Sequence, residues 1–264
     1  MRSTSALGYS RAVSDGSLEM PDEVARHDYE GKCWWCSDVA NSREHKWKAS
    51  ELREIFGKGD YGREVVWASG DDLTNLRSAR SSEAKFSATM CVRCNNERSQ
   101  PFDYAYSEWS SYAIRHHDDI VATRRVNFED VFGDQTPEKL PLLARYYVKH
   151  ICCRLAEDRI AIPTELICFL DGDVDRLTSV TAQLGVREEI HEMMEGPGPD
   201  AFGVWMRPSM ALFSASRLVV TDFMSGIGLG AIELLYAVIT ESMEDRDPGL
   251  GVLENPVQQL SSFD

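Results

Sequence analysis

Apolar residues are sparse and irregular up to about residue 100, recur at helical spacing through the middle of the chain, and run in blocks toward its end. Ser and charged residues dominate the first 25 positions without an apolar period, which predicts a disordered tail over 1–25. From residue 27 to 110, Gly31, Gly57, Gly59, Gly62 and Gly70 break the chain into short pieces. Ser50 reads as the cap of a short helix over 51–56 that Gly57 ends, and 65–68 as a short strand. After Pro101, Phe102, Ala105, Tyr106, Trp109, Tyr112 and Ala113 recur at helical spacing. A second helix opens with Thr136 as cap and Pro137 in the first turn, and aligns Leu140, Leu143, Tyr147, Ile151 and Leu155 on one face. Pro163 opens a further short helix, and 173–194 reads as one or two more. Segments 202–206, 210–223 and 227–240 are separated by Arg207-Pro208 and Ser225-Gly226. They predict an antiparallel meander, with 231–241 equally compatible with a helix. The polar stretch from Glu244, with Pro248 and Pro256, reads as a fraying end.

A chain of 264 residues with 43% hydrophobic residues can bury a sizeable core. The change of pattern near residue 110 predicts two domains in an α+β protein: a small loop-rich one over 26–110 and a helical and antiparallel-sheet one over 111–264. No apolar run approaches the ~20 residues of a membrane helix, and residues 1–15 lack the apolar centre of a secretory signal. A soluble cytoplasmic protein without a membrane partner is the expectation. The formal net charge of -15 at first opposes nucleic-acid binding. The acidity is uneven, however. Residues 1–110 hold 15 Lys+Arg against 18 Asp+Glu, and 111–264 hold 13 against 25, while 42–98 hold 11 against 9. The first part can therefore present a basic face. The acidic second part is expected to meet a protein partner, another copy of the chain, or the first part.

Cysteines sharpen the reading of the first part. Cys33-Trp34-Trp35-Cys36 and Cys91-Val92-Arg93-Cys94 are two C-x-x-C pairs separated by a long insertion, the usual way in which reduced chains hold zinc. Two such knuckles bring four thiolates to the corners of a tetrahedron and leave no open position, so the expected Zn²⁺ is structural. Its binding supplies folding free energy that a short, loop-rich segment lacks. Cys152, Cys153 and His150 sit on or beside an apolar helix stripe and are expected in the core.

Between the pairs stands Ser42-Arg43-Glu44-His45-Lys46, and the second pair runs into Asn95-Asn96-Glu97-Arg98. The order C-x-x-C, acidic residue and His, Asn, then C-x-x-C-[HN]-x-x-[KR] resembles the HNH endonuclease family over about residues 30–100. The resemblance implies a ββα-metal fold with Cys33, Cys36, Cys91 and Cys94 on zinc. It makes His45 the general base, Glu44 and Asn95 ligands of a catalytic Mg²⁺ or Mn²⁺, and Asn75 the residue that orients the base. Asn75 departs from the pattern, because fifteen residues separate it from Cys91 where the family has only a few; a loop-capping Asn fits equally.

The residue types suit phosphodiester hydrolysis. A His titrating near neutrality takes a proton from water, worth ~10²–10⁴-fold, and a hard cation on oxygen ligands stabilises phosphate charge. On a strand, Glu44 and His45 point to opposite sides. Without catalysis, the same pair is a surface feature of a zinc-ribbon-like module. Lys46, Lys48, Arg77, Arg80, Lys85, Arg93 and Arg98 are candidate phosphate contacts that position nucleic acid, DNA first, without reading its sequence; singly, each fits a solvated face. His116-His117-Asp118-Asp119 reads as a solvated helix end, Asp171, Asp173 and Asp175 as a polar connection, and Trp34, Trp35 and Trp47 as packing around zinc. The expectation is a metal-dependent endonuclease, in a setting such as phage–host conflict that only the resemblance suggests. The alternative is a catalytically degenerate zinc module that binds nucleic acid or protein.

Overall fold

The computed structural model describes residues 13–14, 17–18, 22, 24–61, 65–69, 72–195, 202–214, 218–240 and 257–263. Most of the expected tail lies outside them, but β1 (Val13–Ser14) and β2 (Ser17–Leu18) pair as a short hairpin, and Val24 is buried. Helix α1 (Ala49–Phe56) starts one residue before Ser50, with Lys48 at its cap, and Gly57 at φ +84° ends it. Only glycine enters that backbone region without a steric cost. Strands β3 (Val66–Ser69) and β4 (Asp72–Asn75) form an antiparallel hairpin.

The second cysteine pair opens a wide π-type turn, Arg93–Arg98, which passes through Ser99 into α2 (Gln100–Arg115). Pro101 lies in the first turn of α2, where its missing N–H costs nothing, so the helix changes pitch there instead of ending. Then come α3 (His117–Thr123), β5 (Arg125–Asn127), α4 (Phe128–Phe132), the long α5 (Thr136–Glu157) and α6 (Thr164–Asp171). Fifteen of the 22 residues of α5 are buried, so it is a central helix, covered on most sides, and not an amphipathic surface one.

A mixed sheet closes the fold. It contains β6 (Val180–Arg187), followed in the chain by α7 (Glu188–Glu195), then β7 (Val204–Met206), β8 (Met210–Ser214), β9 (Val219–Leu229) and β10 (Ile232–Ile239). The end of the chain returns as β11 (Val257–Gln259), paired with β5, and β12 (Ser261–Phe263), parallel to β6. Strand order is β12-β6-β10-β9-β7, with β8 also on β9. The expected meander is present, with two changes. Residues 180–187 of the helical segment expected over 173–194 are strand β6, whose Val180, Leu184 and Val186 are buried. The turn expected at Ser225-Gly226 instead falls at Gly230, φ +56°, because Gly226 and Gly228 lie within β9. There they leave room for the Glu233 carboxylate and the Trp205 ring, each within 2.2 Å of where a Cβ would stand. Residues 232–239 are thereby strand β10 and not helix.

Helix α2 runs through the domain boundary expected at 110/111, and buried side chains from Val24 to Leu260 form one cluster. His117, expected in a solvated helix end, is buried, and its Nε2 accepts the Ala231 N–H at 2.9 Å, clamping the β9–β10 turn. No helix among the described residues is long and apolar enough to cross a membrane.

Candidate site at the four-cysteine module

Residues 31–40 fold back on themselves: Ala40 N–H donates to Gly31 O, Cys33 N–H to Asp38 O and Ser37 N–H to Cys33 O. Ser37 takes φ +64° to close the turn. This knuckle places Cys33 and Cys36 against Cys91 and Cys94, with all four sulfurs within 4.8 Å of one another. A tetrahedron of Zn–S bonds has sulfurs about 3.8 Å apart, and Cys36 Sγ lies 3.5 Å from Cys91 Sγ. Four thiols of this spacing, three of them buried, suit a metal ion such as zinc. Burial pushes Cys36 up to about 11 and Cys94 higher still; a cation reverses that by stabilising thiolates. Cys94 N–H already donates to Cys91 Sγ at 3.3 Å, the kind of support that orients metal-bound thiolates.

The strand pair beside the cluster is short. Ser42 bridges Met90 and His45 bridges Lys85, with Lys46 N–H to Ala84 O and Phe86 N–H to Glu44 O. The second strand carries two more residues than the first between those bridges, and bulges there. Arg43 pins it, donating to Phe86 O at 2.8 Å and Ser82 O at 3.2 Å. The two bridged segments, 42–46 and 84–90, lead into the turn and helix that start at the second cysteine pair.

Glu44 is buried and His45 is half-buried. His45 Nε2 is buried without a hydrogen-bond partner among the described residues. Burial pushes the imidazole down to about 4, helped by Lys85, Lys48, Arg53 and Lys149, so it is neutral at pH 7. Asn95 stands in the π-turn, buried; its Nδ2 donates to Ser42 Oγ at 2.8 Å, and its Oδ1 has no partner among the described residues. Asn75 lies elsewhere. It is exposed at the end of β4, across from Val66, and the residue across from His45 is Lys85. The long insertion before Cys91 carries Asn75 onto a separate hairpin.

Glu44 meets a different partner from the expected ion. Its Oε2 lies 3.2 Å from Lys149 Nζ, and both side chains are buried. Lys149 also reaches Asp103 Oδ1 at 2.8 Å and Ser99 Oγ at 3.3 Å. A catalytic Mg²⁺ or Mn²⁺ therefore does not fit at Glu44 in this arrangement, because an ammonium already holds that carboxylate.

The expected phosphate contacts divide. Lys48 Nζ is paired with Asp103 at 2.8 Å, Lys46 lies 4.0 Å from Glu157, and Arg98 is paired with Asp171 and stacked over Trp35, 4.4 Å from the ring centroid. Arg77, Arg80 and Arg93 are exposed and Lys85 is half-exposed. The sequence reading missed Lys149, Asp103 and Asp171. Lys149 has a visible signal, as the one acid or base in Tyr146-Tyr147-Val148-Lys149-His150-Ile151-Cys152-Cys153 that carries a full charge at neutrality. Asp171 takes the Trp35 indole N–H at 2.8 Å, which ties the first knuckle to α6; nothing in its local sequence announces this. Compared with models of protein families, with curated proteins and with solved structures, the chain matches none.

Proposed function

We propose that the chain is a nucleic-acid-directed protein whose four-cysteine module holds zinc and whose activity is phosphodiester hydrolysis, with His45 as the base. The observation that carries this reading is the pair of buried, unpartnered atoms, His45 Nε2 and Asn95 Oδ1, on the strand and helix that the cysteines join. Buried polar atoms are ordinarily hydrogen-bonded, and an exception calls for an explanation, a catalytic role among them. A neutral imidazole can accept a proton from water, and because burial lowers its affinity for protons, it stays neutral down to about pH 5. Lys85 and Arg53 are among the cations that depress it, and they supply charge suited to a phosphate. A protein partner or a second copy on the acidic C-terminal part remains part of the proposal, through charge alone.

A second reading, binding without cleavage, is favoured by the Glu44–Lys149 ion pair, which denies the expected ion its carboxylate. Plasmid nicking by purified protein in Mg²⁺ or Mn²⁺ separates the two. Under the first reading, nicking persists at pH 5.5 and His45→Ala reduces it at least a hundredfold. Nicking that survives His45→Ala refutes the assignment of the base. Retention of labelled DNA by a protein that never nicks supports the second reading.

A further inference from the structure

A charged group without solvent contact lies between the cysteine module and α5. Lys149 is fully buried, with Val148, Ile151, Cys152 and Cys153 around it in the chain, and its Nζ lies 5.3 Å from the centroid of the Tyr146 ring. An ammonium in such surroundings is very costly unless oxygens compensate it. Three do: Asp103 Oδ1 at 2.8 Å, Glu44 Oε2 at 3.2 Å and Ser99 Oγ at 3.3 Å. They come from α2, from the strand that carries His45, and from the residue joining the π-turn to α2. Burial alone would pull the Lys149 pKa down, but Glu44 and then Asp103 outweigh it, and the ammonium stays charged.

Two carboxylates and a hydroxyl converging on one point are ligands that a hard divalent cation takes. We propose that the Lys149 ammonium is the resident cation of an oxygen site formed by Glu44, Asp103 and Ser99, and that it excludes a divalent ion from Glu44. Charge balance supports this. Lys48 also pairs with Asp103 at 2.8 Å, so two ammonium groups face two carboxylates. A divalent ion added to that set would leave two positive charges uncompensated in a buried place, whereas loss of Lys149 leaves a net negative site. The inference concerns the occupant of the site that the sequence resemblance gives to a metal ion, and its readout is metal uptake and not cleavage, so it and the nuclease proposal can fail separately.

The test is Mn²⁺ titration of the zinc-loaded full chain, followed by loss of the free-ion electron paramagnetic resonance signal. The wild type should show no Mn²⁺ site that Glu44→Gln removes. Lys149→Met, which keeps the unbranched stem, is one atom shorter and drops the charge, should gain one site at least tenfold tighter than any in the wild type. Adding Asp103→Asn should remove that site. A wild-type site abolished by Glu44→Gln overturns the proposal, as does a folded Lys149→Met that takes up Mn²⁺ no better than the wild type. Should Lys149→Met fail to fold, the wild type against Glu44→Gln still decides.

Discussion

Glu51 gives the most quantitative test of the packing around the site. It sits in the first turn of α1, 1% exposed, with the Tyr106 hydroxyl donating to Oε1 at 3.0 Å and the Lys48 N–H to Oε2 at 3.2 Å. Burial pushes its carboxyl up from 4.5 to about 7, against the opposing pull of those hydrogen bonds. A folded-state pKa raised above the unfolded one means stability that is fully present below pH 4.5 and lost as pH rises through 7. At 1.36 kcal/mol per unit, the shift corresponds to roughly 3 kcal/mol, most of which falls between pH 5 and pH 8. Glutamine at this position cannot ionise, and whatever its amide costs is independent of pH. Urea unfolding of the wild type and Glu51→Gln at both pH values isolates this one group, because every other titration is common to the two proteins. The variant should gain about 2–3 kcal/mol relative to the wild type from pH 5 to pH 8. A difference that stays constant within about 0.5 kcal/mol, the scatter of such comparisons, refutes the burial argument.

Two further outcomes concern the cysteine module. Elemental analysis should find one zinc per chain, and Cys91→Ser should release it with loss of the folded module; a folded, zinc-free wild type refutes the metal assignment. Asp171→Asn should cost about 1–2 kcal/mol in urea unfolding by weakening the Arg98 and Trp35 bonds, and should speed zinc loss to a chelator. Unchanged release would mean that α6 does not brace the first knuckle.

The parts legible in the sequence are those with a local cause. Gly57 ends α1 because it needs positive φ; Pro137 and Pro163 mark helix starts; the C-x-x-C spacing brings four sulfurs together. Cys152, Cys153 and His150 fall in the core because the apolar stripe puts them there. What was not legible depends on long-range partners. Segment 180–187 is a strand because β10 pairs along it, and its own sequence also allows a helix. The glycines of β9 resemble a turn until Trp205 and Glu233 fill the space above them. The candidate site divides along the same line. The partner of Glu44 is a lysine 105 residues further along the chain, and no local pattern encodes it. Residue type alone suggests Asn75, and its hairpin carries it elsewhere.

Helix α5 explains why a boundary near residue 110 does not divide the structure. Along one side, at spacings of one, three and four residues, it presents Lys149, His150, Cys153 and Glu157. Lys149 holds Glu44; the His150 ring contacts Lys46 O through Nε2 at 3.0 Å; Cys153 reaches the Met90 sulfur at 3.6 Å; and Glu157 takes the Ser87 N–H at 2.7 Å. Two of these grips are on the strand of His45 and two on the strand opposite, so α5 sets the separation of the pair from the third side, as the cysteines set it from the first. His150 stays neutral because burial pushes its imidazole down to about 3, and a proton there would place a second charge beside Lys149. An intact module cut away from α5 would thus lose the cation on Glu44 and the brace on both strands together. The C-terminal part is for this reason a structural wall of the candidate site, whatever else it binds.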